Sequence, residues 1–156
     1  MGAVVRRPVA VVAAIVLYLE AVGIVAINGV LATFVGKQNM SLDGLDPEAM
    51  AMGTWVMGGV FGVFLAACGT VLLVAGIRDR APGRFGRILL VSCAVVHGVL
   101  GALTVGLVGW HAFAFLMVVL GLVVLSLVAY GTPGAEKSAE KSEGGGPVVS
   151  DGAATA

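Results

Sequence analysis

Charge is what this chain has least of: Asp, Glu, Lys and Arg together make up 12% of its 156 residues, against about 25% in an ordinary soluble domain. Aromatic residues are also scarce, at 6%, and cysteine occurs twice, as Cys68 and Cys93. The two cysteines form no Cys-x-x-Cys pair and both fall inside hydrophobic runs, which argues against a thiol–disulfide exchange enzyme and leaves them as small apolar residues. The sequence has no Walker loop, no His-Glu-x-x-His and no nucleophile elbow, and Asp43, Asp46 and Glu48 do not follow calcium-loop spacing. Met50 and Met52 have the Met-x-Met spacing that suits Cu(I), but methionine is equally ordinary in a helix at a membrane interface. The expectation is therefore a non-enzymatic protein with no cofactor, no metal and no nucleic-acid partner.

Hydrophobic residues, at 59%, fill the space that charge leaves. About 20 apolar residues cross a hydrocarbon core of about 30 Å, and four runs meet that length: residues 9–35, 54–77, 85–108 and 110–130. The fold class expected is all-α, a polytopic membrane protein built as an antiparallel bundle of four transmembrane helices over residues 1–130. The first run is too long for the h-region of a cleaved signal peptide and contains Glu20, so it reads as a span that is retained. From Gly131 the composition changes to Gly, Ala, Ser, Glu and Lys, with Glu-Lys-Ser repeated at 136–138 and 140–142; residues 131–156 read as a disordered tail.

The formal net charge of +0 conceals an asymmetry. Arg6 and Arg7 precede the first run, and Arg78, Arg80, Arg84 and Arg87 crowd the connection between the second and third, opposed by Asp79 alone. The connection 36–53 holds Lys37 against Asp43, Asp46 and Glu48. The positive-inside rule then puts both termini and the arginine loop in the cytoplasm of a cell membrane. Pro82-Gly83 marks a turn there, predicting a tight hairpin of the second and third spans, and its four arginines are expected among anionic lipid headgroups. In the other connection, Asp46-Pro47-Glu48 has the form of an N-cap, a proline at the first helical position and an early acid, so the second helix is expected to start near Pro47.

Small residues recur at helical spacing in two runs. Gly58, Gly62 and Ala66 stand four apart, Gly62, Gly69 and Gly76 seven apart, and Ala94, Gly98, Ala102 and Gly106 again four apart. Such rows let helix backbones approach closely where lipid supplies no hydrophobic drive, so Gly58, Gly62, Gly69, Gly76, Gly98 and Gly106 are the expected helix-packing positions.

One acid lies deep in a span. At about 1.5 Å per residue, Glu20 sits about 18 Å beyond Pro8, close to the midplane. A charge there costs roughly 2.5–3.5 kcal/mol, so it needs a proton, a partner or a purpose. The same count puts Cys68 about 15 Å from Arg78 and His97 about 15 Å from Arg87, at nearly the same level. Glu20 and His97 are thus the candidate proton or cation site, with a packing role for a protonated or His97-paired acid as the competing reading. Cys93 and His97 share one face of the third helix by their i, i+4 spacing.

The layout, a four-span chain rich in Ala, Val and Gly with Arg6-Arg7-Pro8 ahead of the first span and a polar tail, resembles small integral membrane proteins common in actinobacteria. Leu19-Glu20-Ala21-Val22-Gly23 also resembles the first span of small multidrug resistance transporters, which have four spans and an acid followed three residues later by glycine. That resemblance implies a proton- and cation-binding role for Glu20; only Glu20 and Gly23 carry over. The acidic outer loop, the biased topology, the tail and the absence of an aromatic platform in the second and third spans all depart from that family. Two functions are expected accordingly: a packing or accessory subunit that meets a second copy or another membrane protein within the bilayer, and alternatively a small proton-coupled transporter centred on Glu20.

Overall fold

A computed structural model describes residues 3–38, 44 and 46–131. Four helices account for most of them: α1 (Ala3–Gln38), α2 (Pro47–Arg78), α3 (Arg84–Leu107) and α4 (Trp110–Ala129), with no strand among the described residues. Each contains a stretch long and apolar enough to cross a membrane. The chain is an all-α, multi-pass membrane protein with four spans. At about 1.5 Å per residue, the 36 residues of α1 and 32 of α2 are about 54 and 48 Å long, so both overshoot a hydrocarbon core of about 30 Å. The tail expected at 131–156 lies, beyond Gly131, outside the described residues.

Local chemistry sets the ends. Asp46, extended at φ −61° and ψ 125°, accepts a hydrogen bond from the Glu48 amide at 3.0 Å, with Pro47 at the first helical position, as its sequence predicts. α2 stops at Asp79, whose φ of 49° is left-handed, a conformation that Asp tolerates better than most residues. The link from α3 to α4 is only Val108 and Gly109, and the φ of 114° at Gly109 is open to glycine alone at little cost.

The closest helix pair is α1 with α2, and the glycines explain it. A Cβ on Gly58 would lie 2.5 Å from the Asn28 Cβ, and one on Gly62 would collide with Val25. At Gly69 the obstacle is the Ala14 carbonyl at 3.3 Å, and at Gly76 it is Val11 at 3.0 Å. α1 reciprocates with Ala10, Ala13, Ala14, Ala21 and Ala32, all buried. α3 packs chiefly on α4, where Gly101 admits the Met117 methyl at 2.5 Å from its would-be Cβ.

The row expected on α3 is not a seam of this chain. A Cβ at Gly98 or Gly106 would meet nothing within 4 Å. The inward face of α3 is Leu90, Cys93, His97 and Gly101, spaced three and four apart. At about 100° per residue, Gly98 is turned well away from that face and Gly106 is nearly opposite His97. The hairpin of α2 and α3 is likewise tight only at its turn. Gly86 abuts Val71 and the Cys68 thiol lies 3.8 Å from the Leu89 carbonyl, but α2 has already committed its glycine face to α1.

Leu17, Leu65, Leu72, Leu90, Val119 and Val123 form the core with the two cysteines. Outside it, large apolar side chains such as Leu19, Val22, Val63 and Phe85 are exposed, as suits helices solvated by lipid. One end of the bundle is fastened by charge: Arg6 Nη2 donates to Asp79 Oδ2 at 3.3 Å, Arg6 Nε is 3.0 Å from Oδ1, and Arg7 Nη2 donates to the Ile77 carbonyl at 3.3 Å. The Arg6 guanidinium also stands 5.4 Å from the centre of the Tyr130 ring. The start of α1, the α2–α3 turn and the end of α4 therefore share one end, the arrangement of an up-down-up-down bundle.

Candidate functional site

Glu20 stands at the middle of α1, on the turn after buried Leu17, and His97 near the middle of α3 on its inward face. The structure brings them together: His97 Nε2 and Glu20 Oε2 are 3.0 Å apart. On the other side of the ring, His97 Nδ1 is 2.8 Å from the Cys93 carbonyl one turn back. A carbonyl only accepts, so Nδ1 carries a proton and Nε2 is the nitrogen left to deal with the acid. Two states fit this geometry. Either the Glu20 carboxyl donates its proton to neutral Nε2, or an imidazolium donates to the carboxylate. The pair is neutral overall in both, and they differ by the position of one proton along one bond. That neutrality removes the cost of an isolated charge at this depth.

The two partners differ in access. The His97 side chain is 3% exposed and that of Glu20 15%, so the ring is sealed behind the carboxyl. Glu20 opens on a cavity of about 450 Å³ to which all four helices contribute. Its walls are nearly all apolar, with Phe61 from α2, Leu100 from α3 and Phe115 from α4 among them. Gly23, one turn from Glu20 on the same face of α1, also lines it, and a Cβ there would meet nothing within 4 Å, so the glycine leaves this wall open. Thr104 lines the far side; its hydroxyl donates to the Gly101 carbonyl at 2.8 Å and keeps its lone pairs. Glu20 Oε1 has no hydrogen-bond partner among the described residues, so the carboxyl keeps one oxygen free while the residue lines the cavity.

The cysteines continue the polar line inward. Cys93 Sγ is 3.6 Å from His97 Nδ1, and Cys68 of α2 stands beside Cys93 in the core, both as free buried thiols. Among the described residues no three His, Cys, Asp or Glu side chains converge as metal ligands would. Arg78, Arg80, Arg84 and Arg87 lie exposed at the charged end of the bundle, remote from this pair in the chain's layout.

One polar contact has no signal in the sequence pattern: the Tyr18 and Thr70 hydroxyls are 2.7 Å apart, joining α1 to α2. Thr70 donates to the Ala66 carbonyl at 2.8 Å, so Tyr18 is the donor between them. Depth along α1 and α2 puts Tyr18 and Thr70 at similar levels, while their contact depends on the rotation of each helix.

No protein-family model, curated protein or solved structure matches the chain. The likeness at Glu20 and Gly23 therefore remains one of local pattern.

Proposed function

We propose that this is a small proton-coupled transporter whose Glu20–His97 pair exchanges a proton when a lipophilic solute enters the adjoining cavity. The observation that carries the reading is the position of Glu20: one oxygen is bound to His97, and the residue lines a nearly apolar chamber between four spans. A carboxyl so placed has two competing uses for its charge, a proton or a cationic group of the solute, and that competition is what couples the two. The aromatic rings of Phe61 and Phe115 in the wall suit such a cationic group as well. We assign the arginine-bearing end and both termini to the cytoplasmic face, by the positive-inside rule.

Binding of tetraphenylphosphonium, a simple lipophilic cation, to the detergent-purified protein tests this. Affinity should rise as pH is raised, with a proton released on binding, and Glu20→Gln should remove both effects. Binding that ignores pH, or that Glu20→Gln leaves unchanged, contradicts the reading.

A second reading, a packing subunit of a membrane assembly, has its own support. Gly98, Gly106 and Gly121 carry open space where a Cβ would stand, so a neighbouring span could approach closely there. Its check is cross-linking of a single-cysteine variant at Gly98 in native membranes, where capture of another span supports it and a monomer throughout does not.

A further inference from the structure

The α2–α3 turn holds a feature unrelated to Glu20. Because α2 gives its glycine face to α1, α2 and α3 touch near Gly86 and Val71 and leave a groove of about 690 Å³ at the arginine-bearing end. Its walls are apolar, Val74 and Ala75 from α2 and Phe85 and Leu89 from α3, and Arg78 and Arg80 stand at its rim. No acid lines it. Asp79, which stands between the two arginines in sequence, is held on the α1 side by Arg6 and Arg7. Among the described residues, no acid pairs with Arg78, Arg80 or Arg84.

From this juxtaposition we propose that the groove is a binding site for one anionic phospholipid, its phosphate on Arg78 and Arg80 and an acyl chain along Val74 and Leu89. Charge complementarity selects the headgroup: two cations at the mouth, with Asp79, the one acid beside them among the described residues, already engaged, favour a phosphate over a zwitterionic surface. The apolar walls select a lipid over a soluble anion. The groove lies where the apolar run of α2 gives way to Arg78 and Arg80, the level at which charged residues meet the headgroups. Phe85, 81% exposed beside the mouth, sits where an aromatic ring meets the interface. Held there, the lipid would fill the space that α2 and α3 leave between them and brace the turn that joins the two halves of the bundle.

Native mass spectrometry of the full chain, released from mixed phosphatidylglycerol and phosphatidylcholine nanodiscs, tests the proposal. The parent should retain one phosphatidylglycerol in preference to phosphatidylcholine. The double variant Arg78→Gln/Arg80→Gln should lose about thirtyfold in that preference, about fivefold for each surface arginine. Arg78→Lys/Arg80→Lys, which keeps the charge, should retain most of it. Val74→Trp, which fills the groove and leaves every charge in place, should also expel the lipid, while Arg84→Gln, outside the groove, should stay within about twofold of the parent. Equal retention by the parent, the Gln double variant and Val74→Trp would overturn the proposal. So would glycerol phosphate competing as well as the whole lipid, since the site would then be for a free anion.

Discussion

Glu20 and His97 illustrate what a single buried hydrogen bond is worth and what it permits. Between spans such bonds contribute about 0.6–1.7 kcal/mol, because the unfolded chain in lipid also finds partners for its polar groups. Glu20→Ala should therefore lower stability in detergent by about that amount, and Glu20→Gln by less, since the amide can donate to Nε2 as the carboxyl does. Thermal unfolding followed by circular dichroism checks this; an alanine variant as stable as the parent would mean that the 3.0 Å contact contributes nothing to packing. Tyr130 makes a second residue-scale case, at the charged end. Burial of its ring, with the nearby Asp79 charge, raises the phenol above its ordinary range, while Arg6 and Arg7 pull the other way. A phenol held protonated by the fold contributes stability that is present below the unfolded value of about 10 and is lost as pH climbs through the folded one. The phenolate absorbance that Tyr130→Phe removes should thus emerge above pH of about 10 and coincide with loosening of the bundle; phenolate forming below that pH contradicts the assignment.

At the scale of helices, the glycine rows separate what spacing reveals from what it hides. On α2, Gly58, Gly62, Gly69 and Gly76 all meet α1. On α3 the same spacing holds at Gly98 and Gly106, yet the seam runs through Gly101, because a four-residue repeat identifies a face without saying whether a helix or lipid lies against it. Gly62→Leu should cost about 1–3 kcal/mol by forcing α1 and α2 apart, whereas Gly98→Leu should be nearly silent in a monomer. Thermal stability of the two in the same detergent decides it; equal losses would mean that α3 is packed on its Gly98 face. Asp46-Pro47-Glu48 shows the opposite case. Capping is local chemistry, so the start of α2 was legible to the residue.

Across the whole molecule, the four spans and their antiparallel order follow from hydropathy and short connections, and depth counting put Glu20 and His97 at one level. That they touch did not follow from depth, because rotation about each helix axis is fixed only by packing. The cavity depended on such rotation too: Phe61, Leu100 and Phe115 converge on it from three helices with no sequence pattern in common. The cell-side assignment adds its own prediction, that reporters joined after Tyr130 or within the 79–84 turn lie in the cytoplasm and one inserted near Asp43 lies outside; the reverse result would invert the map. The central claim is that Glu20 exchanges a proton with its surroundings through its bond to His97. Infrared difference spectroscopy of the carboxyl in lipid, with and without bound tetraphenylphosphonium and with Glu20→Gln as the blank, measures this most directly. The account predicts a protonated-carboxyl band that is lost on binding and that shifts when His97 is replaced by Gln; a band that is constant throughout, and indifferent to His97, would contradict it.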